Sequence, residues 1–166
     1  GVPVFCADIK GDLSGIAEPG EPKDFLAKRA AQIGFADEYK FSACPVIFWD
    51  LFGKAGHPIR TTISEMGPLL LSRLMQLNEV QEGVLTIAFR IADENGWLLL
   101  DMKDLRAILN YLAENADTVS AKYGNVTKAS VGAVQRGLLL LENQGGDAFF
   151  GEPALEIKDI MRTTVD

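Results

Sequence analysis

The alternation of apolar and polar positions divides the chain into three parts. Val2 to Ala7 is a short apolar run that ends in Asp8 and a polar, glycine-bearing turn, Lys10-Gly11-Asp12. Runs of this length bounded by turn signals read as buried strands of a parallel sheet. A Pro/Gly loop, Glu18 to Pro22, comes next. Phe25, Leu26, Ala30 and Ile33 then recur at helical spacing, which predicts a helix over 22–33 with Gly34 as its stop. From 38 to 63 the pattern shifts to alternation and to β-branched and aromatic residues, most clearly in Val46-Ile-Phe-Trp49. Gly53, Gly56 and Pro58 mark turns there, so two or three strands are expected, with Pro58–Ile63 as a partner for Val46–Trp49.

From residue 64 onward the period is helical. Leu69, Leu70, Leu74 and Leu77 follow Pro68. Asn78, with Gln81 three positions on, is a capping box for a helix striped by Val80, Val84, Ile87, Ala88 and Ile91 and ending near Asn95-Gly96. Asp101, with Asp104 in the first turn, opens a helix whose expected buried face is Leu105, Ile108, Leu109 and Leu112. A short helix runs from Asp117 to Gly124. Thr127 caps the last long one, striped by Val131, Val134, Leu138 and Leu141 and stopped at Gly145-Gly146. A final short helix is expected at Ile157–Met161. The fold class this predicts is α+β and mostly helical: a strand and a helix, a small β element, then a bundle of four to five helices. The expected division is 1–63 and 64–166, with no internal repeat.

At 166 residues, 48% hydrophobic and 23% charged, the chain is an ordinary globular domain by length and composition. No apolar run approaches the ~20 residues that span a bilayer, and no secretory signal pattern is present. No membrane association is therefore expected, and the location expected is cytoplasmic. Acidic residues outnumber basic ones, 23 to 16. That excess argues against an extended phosphate-binding surface, leaving only local basic patches around Lys28, Arg29, Lys128 and Arg136. Cys6 and Cys44 lie in or beside apolar runs and are expected as buried free thiols. With His57 the sole histidine, neither a zinc site nor a Ser-His-Asp arrangement is supported, and no metal site is expected.

Three segments carry candidate chemistry. Asp8 and Asp12 sit where a parallel strand would end, the usual place for a ligand, and are the candidate catalytic residues. The run Asp8-Ile-Lys-Gly-Asp12 resembles the start of haloacid-dehalogenase-type phosphatases, but Lys10 replaces their acid/base aspartate and Leu13 their threonine. Val46-Ile-Phe-Trp-Asp50 has the shape of a Walker B strand, with Leu51 where a water-polarising glutamate belongs. No G-x-x-x-x-G-K-[ST] loop occurs, so no nucleotide-binding residue is expected. Lys128, Gln135 and Arg136 fall near the outer face of one helix; a solvated face is the plain expectation and a DNA or subunit contact the sharper one.

Several segments in order resemble the bacterial HerA-like P-loop ATPases of the FtsK–HerA superfamily. They are Ala7-Asp-Ile-Lys-Gly-Asp-Leu-Ser-Gly15, Trp49-Asp-Leu-Phe-Gly53 with Gly56-His-Pro-Ile-Arg60, Gly67-Pro-Leu-Leu-Leu71, Phe89-Arg-Ile-Ala-Asp93, Leu100-Asp-Met-Lys-Asp-Leu105, Tyr123-Gly-Asn125, Ala129 to Gly137 and Phe149-Phe-Gly-Glu-Pro153. The resemblance implies that this chain is the stretch between the Walker A and Walker B motifs. Residues 1–63 would be a partial P-loop core and 64–166 a helical insertion. It further implies an ATP- and magnesium-dependent motor on DNA, assembled as a hexameric ring, with Asp8 and Asp12 near its nucleotide site. Lacking both Walker motifs, the chain is expected to be inactive alone. A non-catalytic helical module for subunit, partner or DNA contacts is the alternative.

Overall fold

A computed structural model describes residues 2–161; Gly1 and residues 162–166, the latter counted in the expected helical region, lie outside the described residues. The fold is mostly helical with one very small parallel sheet. Its elements are α1 (Asp24–Gln32), β1 (Trp49–Asp50), β2 (His57–Pro58), α2 (Ile63–Leu74), α3 (Glu79–Asn95), α4 (Met102–Glu114), α5 (Ala116–Tyr123), α6 (Lys128–Asn143), α7 (Gly146–Phe149) and α8 (Ile157–Ile160). Among the described residues the chain divides into two compact units, one of residues 2–48 with Ile160 and Met161, the other Trp49–Asp159.

The larger unit is built by caps and stripes. Asn78 and Gln81, Asp101 and Asp104, and Thr127 and Ser130 each form the reciprocal capping box that opens α3, α4 and α6. Each box satisfies two backbone donors that the first helical turn leaves unpaired. Thr62 and Glu65 do the same for α2. The core runs through all four long helices, centred on Leu71, Leu85, Leu105, Leu109, Leu112 and Val134, none exposed. The predicted face of α4 is buried as a set, and Val131, Val134 and Leu138 of α6 are buried as expected. Two strand-like contacts close the unit. Leu99 and Leu100 accept from the amides of Ser64 and Ile63, and Thr61 bridges Phe150 in parallel.

Several expectations are corrected. On α2 the buried residues are Ile63, Leu71 and Ser72, whereas Leu69, Leu70 and Leu74 are about half exposed. Gly67 stands at φ 72 inside α2 and breaks it before Pro68. The second segment therefore starts afresh, and with leucine at 69, 70, 71 and 74 the packing, not the composition, selects Leu71 and Met75 as the inner row. Val80 is likewise exposed, being on the first turn of α3. The β element is real but shorter than predicted: Trp49↔His57 and Asp50↔Pro58 are its two paired positions.

The smaller unit departs further. Val2 to Ala7 is in no strand, and Val2 is 86% exposed. A parallel strand draws its hydrogen bonds from neighbouring strands, and among the described residues no strand pairs with this run. The thiols of Cys6 and Cys44 are free as expected but exposed rather than buried, for the same reason. Helix α1 is present and ends as predicted: Gly34 and Phe35 donate to Ala31 and Ala30 in a paired C-terminal closure. It buries only Ala30.

Candidate functional site

Asp8 lies in an exposed turn, not at a strand end. Its carboxylate oxygens accept from the amides of Gly11 at 2.8 Å and Leu13 at 3.0 Å. Desolvation in the turn pushes its pKa up, and the hydrogen bonds from Leu13 and Gly11 outweigh it, so the carboxyl sits below the usual aspartate value. Asp12 is in the same turn and exposed.

Asp50 repeats the arrangement at the end of β1. Its carboxylate accepts from the amides of Phe52, Lys54 and Ala55 at 3.2, 2.6 and 2.9 Å. The amides of Ala55, Phe52 and Lys54 hold its pKa below the ordinary value. A carboxylate that accepts two or three backbone donors is favoured in its charged form and tied to its own loop. Asp8 and Asp50 are therefore turn organisers in this structure.

The turn after Asp50 is seated on the helices. The Phe52 ring lies against Gly145, where a β-carbon would come within 2.5 Å of it, and Gly145 also has φ 94. Neither a side chain nor an ordinary L-residue backbone fits there. Nearby, Arg60 donates from Nε to the Ala148 carbonyl at 3.2 Å and from its terminal nitrogen to the Glu152 carbonyl at 2.6 Å.

Polar clusters elsewhere are helix-to-helix ties. Glu94 accepts from Lys122 at 2.7 Å, Tyr123 at 2.5 Å and Arg90 at 2.7 Å. Those three donors lower its pKa from 4.5 to about 2. Arg106 of α4 pairs with Glu142 of α6. Gln135 donates its side-chain amide to Asn110 of α4 at 2.8 Å, so it serves the α4–α6 contact. Lys128 and Arg136 are exposed on α6, about 12 Å apart along the axis at 1.5 Å per residue.

Of the sequence-derived candidates, Asp8 and Asp12 share one turn, and Lys128 and Arg136 are both exposed on α6 while Gln135 is turned to a neighbour. The Thr62/Glu65 box was missed, although Thr-x-x-Glu before an apolar run is its sequence signal. The Glu94 cluster joins α3 to α5 across 28 residues and has no local signal.

Asp8 and Asp50 each accept from amides of their own turns, and among the described residues no three acidic, histidine or cysteine side chains converge as cation ligands. No helix among them is long and apolar enough to cross a membrane.

Comparison with curated proteins and comparison with solved structures each returned no match. A family model described as helicase HerA-like C-terminal matches residues 1–166, and over that whole length the chain belongs to the HerA-like C-terminal helicase family.

Proposed function

We propose that this chain is the central stretch of a HerA-like, ATP-dependent DNA translocase and is inactive alone, its phosphate-gripping loop and magnesium carboxylate lying in other parts of the complete protein. In this reading residues 1–63 belong to the motor core and 64–166 form a helical insertion. ATP and magnesium are cofactors of the complete protein, which acts as a ring of subunits, a hexamer by resemblance, in the cytoplasm.

The observation that carries the reading is the state of the apolar runs in residues 2–48. Val2, Val4 and Phe5 are exposed, and so are Val46, Ile47 and Phe48, although both runs have strand composition. Exposed apolar segments of this length call for a covering partner, and neighbouring strands of a motor-core sheet would cover them. Asp8 and Asp12 then end a paired strand beside the nucleotide. In the complete protein, Asp8→Ala and Asp12→Ala are expected to lower ATP turnover while leaving the helical circular dichroism unchanged. Turnover that stays at the unaltered rate in both variants contradicts the reading.

A second reading, the helical unit as a contact module with no share in catalysis, is favoured by the outward leucines of α2 and α6, Leu69, Leu70, Leu74, Leu139 and Leu140. Light scattering decides it: a defined oligomer supports a subunit contact, and a strict monomer that binds no partner opposes it. Contact with DNA through Lys128 and Arg136 is tested by salt-dependent binding that disappears in Arg136→Ala.

A further inference from the structure

The helical unit is entered at 59–61 and left at 148–155, and the two segments run side by side. Thr61 donates its amide to Phe149 at 3.0 Å, Gly151 donates to Thr61 at 2.9 Å and Leu155 donates to Arg60 at 2.8 Å. Thr61 and Phe150 form a parallel bridge, and Phe150 is buried in the unit's core. Three backbone hydrogen bonds make a short seam. A pairing this short frays readily unless side chains hold it.

Arg60 supplies that hold. Its side chain donates to the carbonyls of Ala148 and Glu152, which flank the Phe149–Gly151 stretch that the Thr61 backbone pairs with. Among the described residues the guanidinium forms no ion pair; both of its hydrogen bonds go to main-chain oxygens. Two donors held in one rigid plane fit two carbonyls four residues apart. Gly151 completes the fit. It is buried at φ 141, a backbone geometry that side-chain-bearing residues rarely adopt, and a β-carbon there would touch the guanidinium at 3.5 Å.

We infer that Arg60 is a clasp that fuses the entry and exit of the helical unit into one mechanical element, so that a displacement of either segment is carried to the other and into the bundle through Phe150. The clasp concerns only residues of this unit and stands independently of the proposed motor function. Without it, the exit segment would follow the chain beyond it while the helices stayed in place.

Hydrogen exchange on the full chain tests the clasp. In the unaltered chain, the amides of Thr61, Gly151 and Leu155 should open as one group with a common denaturant dependence. In Arg60→Ala the same three amides should exchange at least about tenfold faster, the scale of losing hydrogen bonds from a charged donor, while the amides of α3 and α4 keep their rates. Arg60→Lys should recover little of the protection, because one ammonium does not span both carbonyls. Three unrelated opening behaviours in the unaltered chain overturn the inference even if Arg60→Ala does not fold. So do seam rates unchanged by Arg60→Ala, or α3 and α4 accelerated as much as the seam, which would make Arg60 a contributor to general stability only.

Discussion

Residues 2–48 and residues 49–159 use the same kinds of apolar side chain to opposite ends. In the larger unit the apolar stripes of α2, α3, α4 and α6 close on one another and bury a continuous core. In the smaller one, Ala30 is the sole buried side chain among the described residues, and Ile9 stands 99% exposed. A helix stripe needs one facing helix to be covered, and that helix is usually a near neighbour in sequence. A buried strand of a parallel sheet needs neighbouring strands and a layer on each face, which come largely from distant sequence. The difference teaches that amphipathic helices complete themselves within this chain, whereas its strand-like runs depend on what lies beside them.

The largest expected effect is on the core. Leu109→Ala should destabilise the chain by about 2–5 kcal/mol in denaturant unfolding, the range for emptying a closed apolar site. Phe25→Ala, on an exposed side chain of α1, should change it by about 0.5 kcal/mol or less. Equal losses would remove the contrast between the two units. Next, Gly145→Val should cost about 1–3 kcal/mol through its positive φ and its collision with the Phe52 ring. Adding Phe52→Ala should relieve the collision but not the backbone cost. Asp101→Ala should cost about 1 kcal/mol, since its carboxylate caps both Lys103 and Asp104.

The smallest effect is that of Glu94, an exposed cluster screened by solvent. Its folded pKa is depressed from 4.5 to about 2. Its contribution is therefore fully present above pH 4.5 and is lost as pH falls from there toward 2. Acid unfolding of Glu94→Gln should be less steep over that window, and an unchanged profile would mean that the three-donor cluster does not hold α3 to α5.

These contrasts also explain what was legible beforehand. The Asn78/Gln81 capping box, the caps Asp101 and Thr127 and the inner face of α4 were readable because each is set by residues three or four apart, whereas the reciprocal bonds of Asp104 and Ser130 that complete two further boxes were not read. The ends of α1 and α3 were readable from Gly34 and Gly96, which follow them with positive φ. The inner face of α2 was not, because Gly67 restarts that helix and four nearby leucines compete for one face. Val2–Ala7 was read as a strand from composition, and composition does not report whether a ladder is available. The polar turn from Asp8 to Asp12 was legible from its residues, while the amides of Gly11 and Leu13 that cradle Asp8 were not anticipated. The seat of Phe52 on Gly145 and the reach of Arg60 to Ala148 and Glu152 join residues about ninety apart, for which a single sequence holds no signal.

The most direct test of the account is hydrogen exchange on the longer HerA-like protein of which this chain is proposed to be a part, read at Val2–Ala7 and Val46–Phe48. If these runs are strands of a motor core, their amides should be protected to within about tenfold of the α4 amides. Exchange at the rate of an open chain in both runs, with α4 protected, would contradict it.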